Sequence, residues 1–118
     1  IRYILRKLNS KFSTEMIVIE DNNKIHIEHI MPIKPNKDWN VDPDTHSEYV
    51  WRIGNLTLLG GEYNKKIVNS SFDKKKRIYQ KSDVHITNMI IDYDNWGPNE
   101  ISDRQKKMAK IALDIWKL

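Results

Sequence analysis

Glu28 and His29 stand side by side, and Asn55 and Asn64 follow them. These residue types match the needs of phosphodiester hydrolysis. A hard divalent cation takes oxygen ligands, which the Glu28 carboxylate and the Asn64 amide oxygen supply. Such a cation neutralises charge developing on a phosphate and on its departing 3′ oxygen. An imidazole near its ordinary pKa accepts a proton from attacking water, and His29 has that capacity.

Those groups act together only if the chain gathers them. Lys24 to Ile30 alternates around Ile25 and Ile27 and predicts a strand that carries Glu28-His29 near its end. Met31-Pro32 stops it, and the prolines and polar residues from Pro32 to Asp44 predict a loop. Thr45 to Ile53 predicts a short helix that Gly54 ends. Asn55 to Leu59 predicts a second strand, broken by Gly60-Gly61, with a helix opening near Asn64. The order strand, loop, strand, helix over about residues 24–70 brings the candidate groups to one spot.

The remaining elements frame that core. Ile1, Ile4, Leu5 and Leu8 have the spacing of one helix face, and Met16 to Glu20 predicts a further strand. Ser70 or Ser71 is placed to cap a helix through Lys81, and Val84 to Asp92 predicts another. Trp96-Gly97-Pro98 predicts a turn before a last helix capped by Ser102, with an apolar face of Met108, Ile111, Ala112, Ile115 and Trp116. The expected class is α+β, mostly helical, in one domain over residues 1–118.

Composition narrows the function. The 118 residues are 39% hydrophobic and 31% charged, a hydrated globular balance. No apolar run approaches the ~20 residues that span a bilayer, so no membrane role is expected. The absence of cysteine excludes disulfides and thiolate zinc sites and fits a reducing cytoplasm. The net charge of +4 leans toward polyanions. Lys65, Lys66, Lys74, Lys75, Lys76 and Arg77 concentrate that charge. Such a run suits a phosphate backbone or simply a solvated helix face. The chain opens on Ile1 and reads as a piece of a longer protein.

The stretch His26-Ile27-Glu28-His29-Ile30-Met31-Pro32 resembles the first half of an HNH, or His-Me finger, nuclease motif. Ile53-Gly54-Asn55-Leu56-Thr57-Leu58-Leu59, with Asn64-Lys65-Lys66 and Asn69-Ser70-Ser71-Phe72, resembles its second half. With Lys75, Tyr79, Ser82, Trp96, Ile101, Arg104 and Trp116, the whole chain is similar to the C-terminal HNH domain of GmrSD-type restriction enzymes. The resemblance implies a ββα-metal finger flanked by helices. It implies that Glu28 and Asn64 bind Mg²⁺ or Mn²⁺, that His29 activates water, and that Asn55 braces the strand and loop positioning His29. It implies DNA cleavage to 5′-phosphate and 3′-hydroxyl ends. An N-terminal nucleotide-binding sensor domain of the same protein and a role in bacterial defence against phage are also implied.

Plainer readings stand beside these. Glu28-His29 also fits a polar pair at a strand end, Asn55 a turn residue, and Asn64 a helix N-terminus. His26 shares a strand side with Glu28 and suits either DNA contact or a structural place. Lys65, Lys66, Lys74 and Lys75 are the expected phosphate contacts. His46 and His85 read as surface or packing residues. Trp51, Trp96 and Trp116 read as core, and Trp39 as an exposed aromatic. A binding module without cleavage, and RNA as substrate, remain alternatives.

Overall fold

The computed structural model describes residues 1–12, 25–67 and 69–115. The strand expected at Met16 to Glu20 and the core place expected for Trp116 lie outside them, as does the side chain of Lys66. The helix α1 spans Arg2–Phe12 and buries Leu5 and Leu8, the inner part of its apolar face. The strand β1 (Ile25–His29) pairs antiparallel with β2 (Leu56–Gly60), with Glu28 opposite Thr57 and His29 opposite Leu56. The helix α3 (Gly61–Ile67) follows β2 directly. Among the described residues, two strands and a mostly helical remainder make the fold α+β.

The connection between the strands holds α2 (Pro43–Tyr49). Asp42 caps it by accepting the Thr45 N–H at 2.9 Å, with Pro43 at its first turn. This helix ends before Gly54, which instead lies in a 3₁₀ turn (Ile53–Asn55) packed on the last helix. A Cβ on Gly54 would stand 2.2 Å from the Ile101 carbonyl oxygen. Close approach therefore requires the glycine, rather than a helix stop.

Ser71 caps α4 (Phe72–Tyr79) by accepting the Lys74 N–H, as its sequence position predicts. The expected single helix from Val84 divides into α5 (His85–Asn88) and a 3₁₀ turn (Met89–Asp92). The last helix, α6, spans Pro98–Ile115. It starts four residues before Ser102, because Pro98 has the fixed φ that suits a first helical turn.

Alternation along the strands separates two cores. Leu56 and Leu58 join Leu5, Leu8, Val84, Ile86 and Met108, with Ile25 and Ile27 packed alongside. On the opposite face Leu59 joins Ile30, Met31, Ile67, Phe72, Tyr79, Trp96 and Ile101. Glu28 belongs by alternation to this second face. A carboxylate there needs internal partners, since leaving a charge buried and unpaired is costly.

Candidate active site

Glu28 is 3% exposed, and each of its oxygens has donors. Oε2 accepts from Lys75 Nζ at 3.2 Å and from the Tyr79 hydroxyl at 2.9 Å. Oε1 accepts from the Asn64 amide at 3.4 Å. Lys75 and Tyr79 are one helical turn apart on α4, whose inner face also carries Phe72. Burial pushes the Glu28 carboxyl up and the Lys75 ammonium down, and the attraction between them opposes both shifts.

Lys75 therefore does not belong with the surface lysines. It is 0% exposed and also donates to the His29 carbonyl at 2.9 Å. One ammonium ties two consecutive residues, the carboxylate of Glu28 and the backbone of His29. Its neighbours Lys74 and Arg77 are exposed, and Lys65 is exposed on α3 beside Asn64. The helix turns Lys75 inward, leaves Lys74 and Arg77 to solvent, and holds Lys76 half-buried with its ammonium over the Phe72 ring.

The His29 ring is half-buried and meets the Trp51 ring edge-to-face, with centroids 4.6 Å apart. Its Nε2 is buried without a hydrogen-bond partner. Burial foremost, and then the charge of Lys75, lower its pKa from 6.5. The lowered pKa favours the neutral imidazole, whose lone pair can accept a proton. Trp51 is 62% exposed, against its expected place in the core. It follows α2 on the solvent side, where its apolar surface shields His29.

Asn55 is 0% exposed and uses its whole amide. Oδ1 accepts from the Met31 N–H at 2.8 Å and from Trp96 Nε1 at 3.0 Å. Nδ2 donates to the carbonyls of Met31 and Val50, both at 3.0 Å. The Asn55 carbonyl accepts from the Ile30 N–H. The side-chain amide is buried and fully engaged within the protein. It fixes the chain immediately after His29.

Glu28, His29 and Asn64 line one open cleft with Ile27, Ile33, Lys34 and Asn69. The structure thus brings together the carboxylate, imidazole and amide that the sequence singled out. His26 is half-buried and outside this lining. His46 packs, with Nε2 2.7 Å from the Pro32 carbonyl oxygen, and His85 is exposed. Trp96 is buried as expected, whereas Trp39 is only half-exposed and donates to the Ser70 carbonyl at 2.9 Å. A separate hollow lined by Ile86, Met89, Tyr93, Met108 and Ile111, with Asp92, Arg104 and Lys107, contains none of the cleft groups.

Sequence reasoning missed Lys34 and named Tyr79 and Arg104 only as landmarks of the family resemblance, without a role in this arrangement. Lys34 sits in a polar loop with no pattern to mark it. Tyr79 has the i+4 spacing from Lys75 that would place both on one helix face. Arg104 donates from α6 to the carbonyls of Gly54 at 2.9 Å and Leu56 at 2.7 Å, flanking Asn55. Burial lowers its pKa to about 10.

The donor chemistry fits a hard cation. Mg²⁺ bonds of 2.0–2.1 Å at right angles put neighbouring oxygens about 3 Å apart. Glu28 Oε1 and the Asn64 amide are spaced near that value, and turning the amide over presents its oxygen in place of its NH₂. Among the described residues no cluster of three His, Cys, Asp or Glu side chains exists to hold a metal. Two protein ligands suffice for Mg²⁺, which keeps waters and takes phosphate oxygens.

No curated protein matches the chain. A family model for the C-terminal domain of GmrSD restriction endonucleases matches residues 1–111, and the chain belongs to that family.

Proposed function

We propose that this member of the GmrSD C-terminal family is a metal-dependent DNA endonuclease of the HNH type, with His29 as general base. Membership ties the chain to restriction endonucleases and hence to nuclease activity. The observation that carries the finer reading is the shared cleft of Glu28, His29 and Asn64. The order β1, β2, α3 supports a ββα-metal finger, with Glu28 on the first strand and Asn64 on the helix.

The neutral His29 imidazole takes a proton from water in the cleft, and that water's oxygen attacks phosphorus. The bond from phosphorus to the 3′ oxygen breaks, and that oxygen takes a proton from solvent water, which leaves a 5′-phosphate and a 3′-hydroxyl. Glu28 and Asn64 would hold Mg²⁺ or Mn²⁺, which stabilises the charge developing on the phosphate and the departing oxygen. Asn55 and Lys75 keep His29 and Glu28 in place through the hydrogen bonds described above. Partial burial of His29 and the charge of Lys75 favour the neutral ring.

Exposed Lys65 and Lys74 supply phosphate contacts, and Lys66 and His26 are further candidates for DNA contact. No helix among the described residues is long and apolar enough to cross a membrane. The setting proposed is the bacterial cytoplasm, in a system that restricts phage DNA under control of an N-terminal nucleotide-binding sensor domain. Supercoiled plasmid with Mg²⁺ or Mn²⁺ tests the chemistry. The parent protein should nick it and His29→Ala should not, while both give the same circular dichroism. Equal nicking by the two proteins would overturn the assignment.

A further inference from the structure

We propose that Lys75 is an internal counter-ion that keeps the cleft from holding a divalent cation firmly by itself, so that cation and nucleic-acid phosphate are recruited together. The inference rests on the nuclease reading and adds how its metal site is filled.

The charge balance carries it. Among the described residues that line the cleft, Glu28 is the single carboxylate, and Asn64 and Asn69 are neutral. Lys75 Nζ lies 3.2 Å from Glu28 Oε2, with neither side chain more than 3% exposed. The pair is therefore neutral as seen from the cleft, and burial leaves little solvent to screen Lys75. Lys34, exposed on the cleft lining, adds a further positive charge. A divalent cation entering this space meets ligand oxygens but, among the described residues, no net negative charge.

A phosphate changes that balance. It brings negative charge and further oxygens to a cation that already favours phosphate ligands. It also gains from Lys34, which otherwise repels the cation. Each partner raises the affinity of the other, and by linkage the two factors are equal. Tyr79 completes the arrangement, since its hydroxyl and Lys75 occupy Oε2 and leave Oε1 toward Asn64 and the cleft.

Two measurements test this. In the first, Mn²⁺ is titrated into the protein without DNA and followed by the resonance signal of the free ion. Lys75→Met should bind Mn²⁺ on the order of tenfold more tightly than the parent, because an uncancelled Glu28 then faces the ion. Equal or weaker binding by the folded variant would overturn the proposal. If circular dichroism shows Lys75→Met unfolded, Lys34→Gln takes its place. Its exposed side chain leaves the buried pair intact, and a gain of about twofold or more is expected from screened charge removal. No gain would again overturn the proposal.

The second measurement is fluorescence anisotropy of a labelled duplex with the His29→Ala protein, with and without Mn²⁺. Mn²⁺ should tighten DNA binding on the order of tenfold, and Asn64→Ala should erase the gain. Independent binding of duplex and Mn²⁺ would overturn the proposal. The nuclease reading fails separately. A protein that nicks through His29 but binds Mn²⁺ alike with and without Lys75 keeps that reading and loses this inference.

Discussion

Removing the His29 imidazole should abolish nicking, and the pH dependence of the parent should identify the same ring. The base must be neutral to accept a proton, and burial and Lys75 place its pKa below 6.5. The nicking rate should therefore rise with pH along an acid limb centred below 6.5 and stay flat through neutral pH. A midpoint above 6.5 would point to another base. Asn55 acts differently. Asn55→Ala leaves the Trp96 and Met31 N–H groups and the Met31 and Val50 carbonyls without that amide. Each buried orphan costs about 1–3 kcal/mol, partly relieved by rearrangement. The net loss should be roughly 3–5 kcal/mol in urea unfolding, at the diagnostic end for a point change. A loss under about 1 kcal/mol would contradict the clamp.

The elements act by fixing distances between such residues. The turn at Ile53–Asn55 is held from α6 by Arg104 and admits α6 because residue 54 has no side chain. Gly54→Ala forces a methyl against the Ile101 backbone carbonyl, which cannot swing away as a flexible side chain would. We expect a loss of about 2–3 kcal/mol, together with slower nicking, because Asn55 is the next residue. A thermal shift within error of the parent would show that α6 yields freely. By contrast, Ser71→Ala removes a long cap at 3.4 Å from the exposed start of α4. It should cost roughly 0.5–1 kcal/mol and leave nicking nearly unchanged, since Lys75 and Tyr79 are held by burial rather than by that cap.

Across the whole molecule, the two-stranded sheet divides the interior, and the cleft opens where β1 ends against α3. Basic groups remain outside it at Lys65, Lys74 and Arg77. Phosphate contacts give salt-dependent affinity without reading sequence. Lys65→Ala should weaken binding similarly for unrelated duplexes and lower the slope of log affinity against log salt by about one. An unchanged slope would remove Lys65 from the interface. A change confined to one duplex would instead make it a base-reading residue.

By itself the sequence pointed to the candidate groups around the cleft and to most local structure. Glu28, His29, Asn55 and Asn64 have side chains whose chemistry is intrinsic, and they fall in the order strand, turn, helix. Capping by Ser71 and the β1 alternation were also legible, because both depend on neighbours close in the chain. Tertiary structure alone decided which charges and rings face inward. The run Lys74-Lys75-Lys76-Arg77 has no apolar periodicity to set its rotation, so only packing of Phe72 and Tyr79 turned Lys75 toward Glu28. Trp51 looked like core because indole is large and apolar, yet α2 leaves it on the surface beside His29. Arg104 reaches the Asn55 turn across 48 to 50 residues of chain. A local pattern carries no record of such a contact, since burial of a charge depends on partners that folding brings from elsewhere.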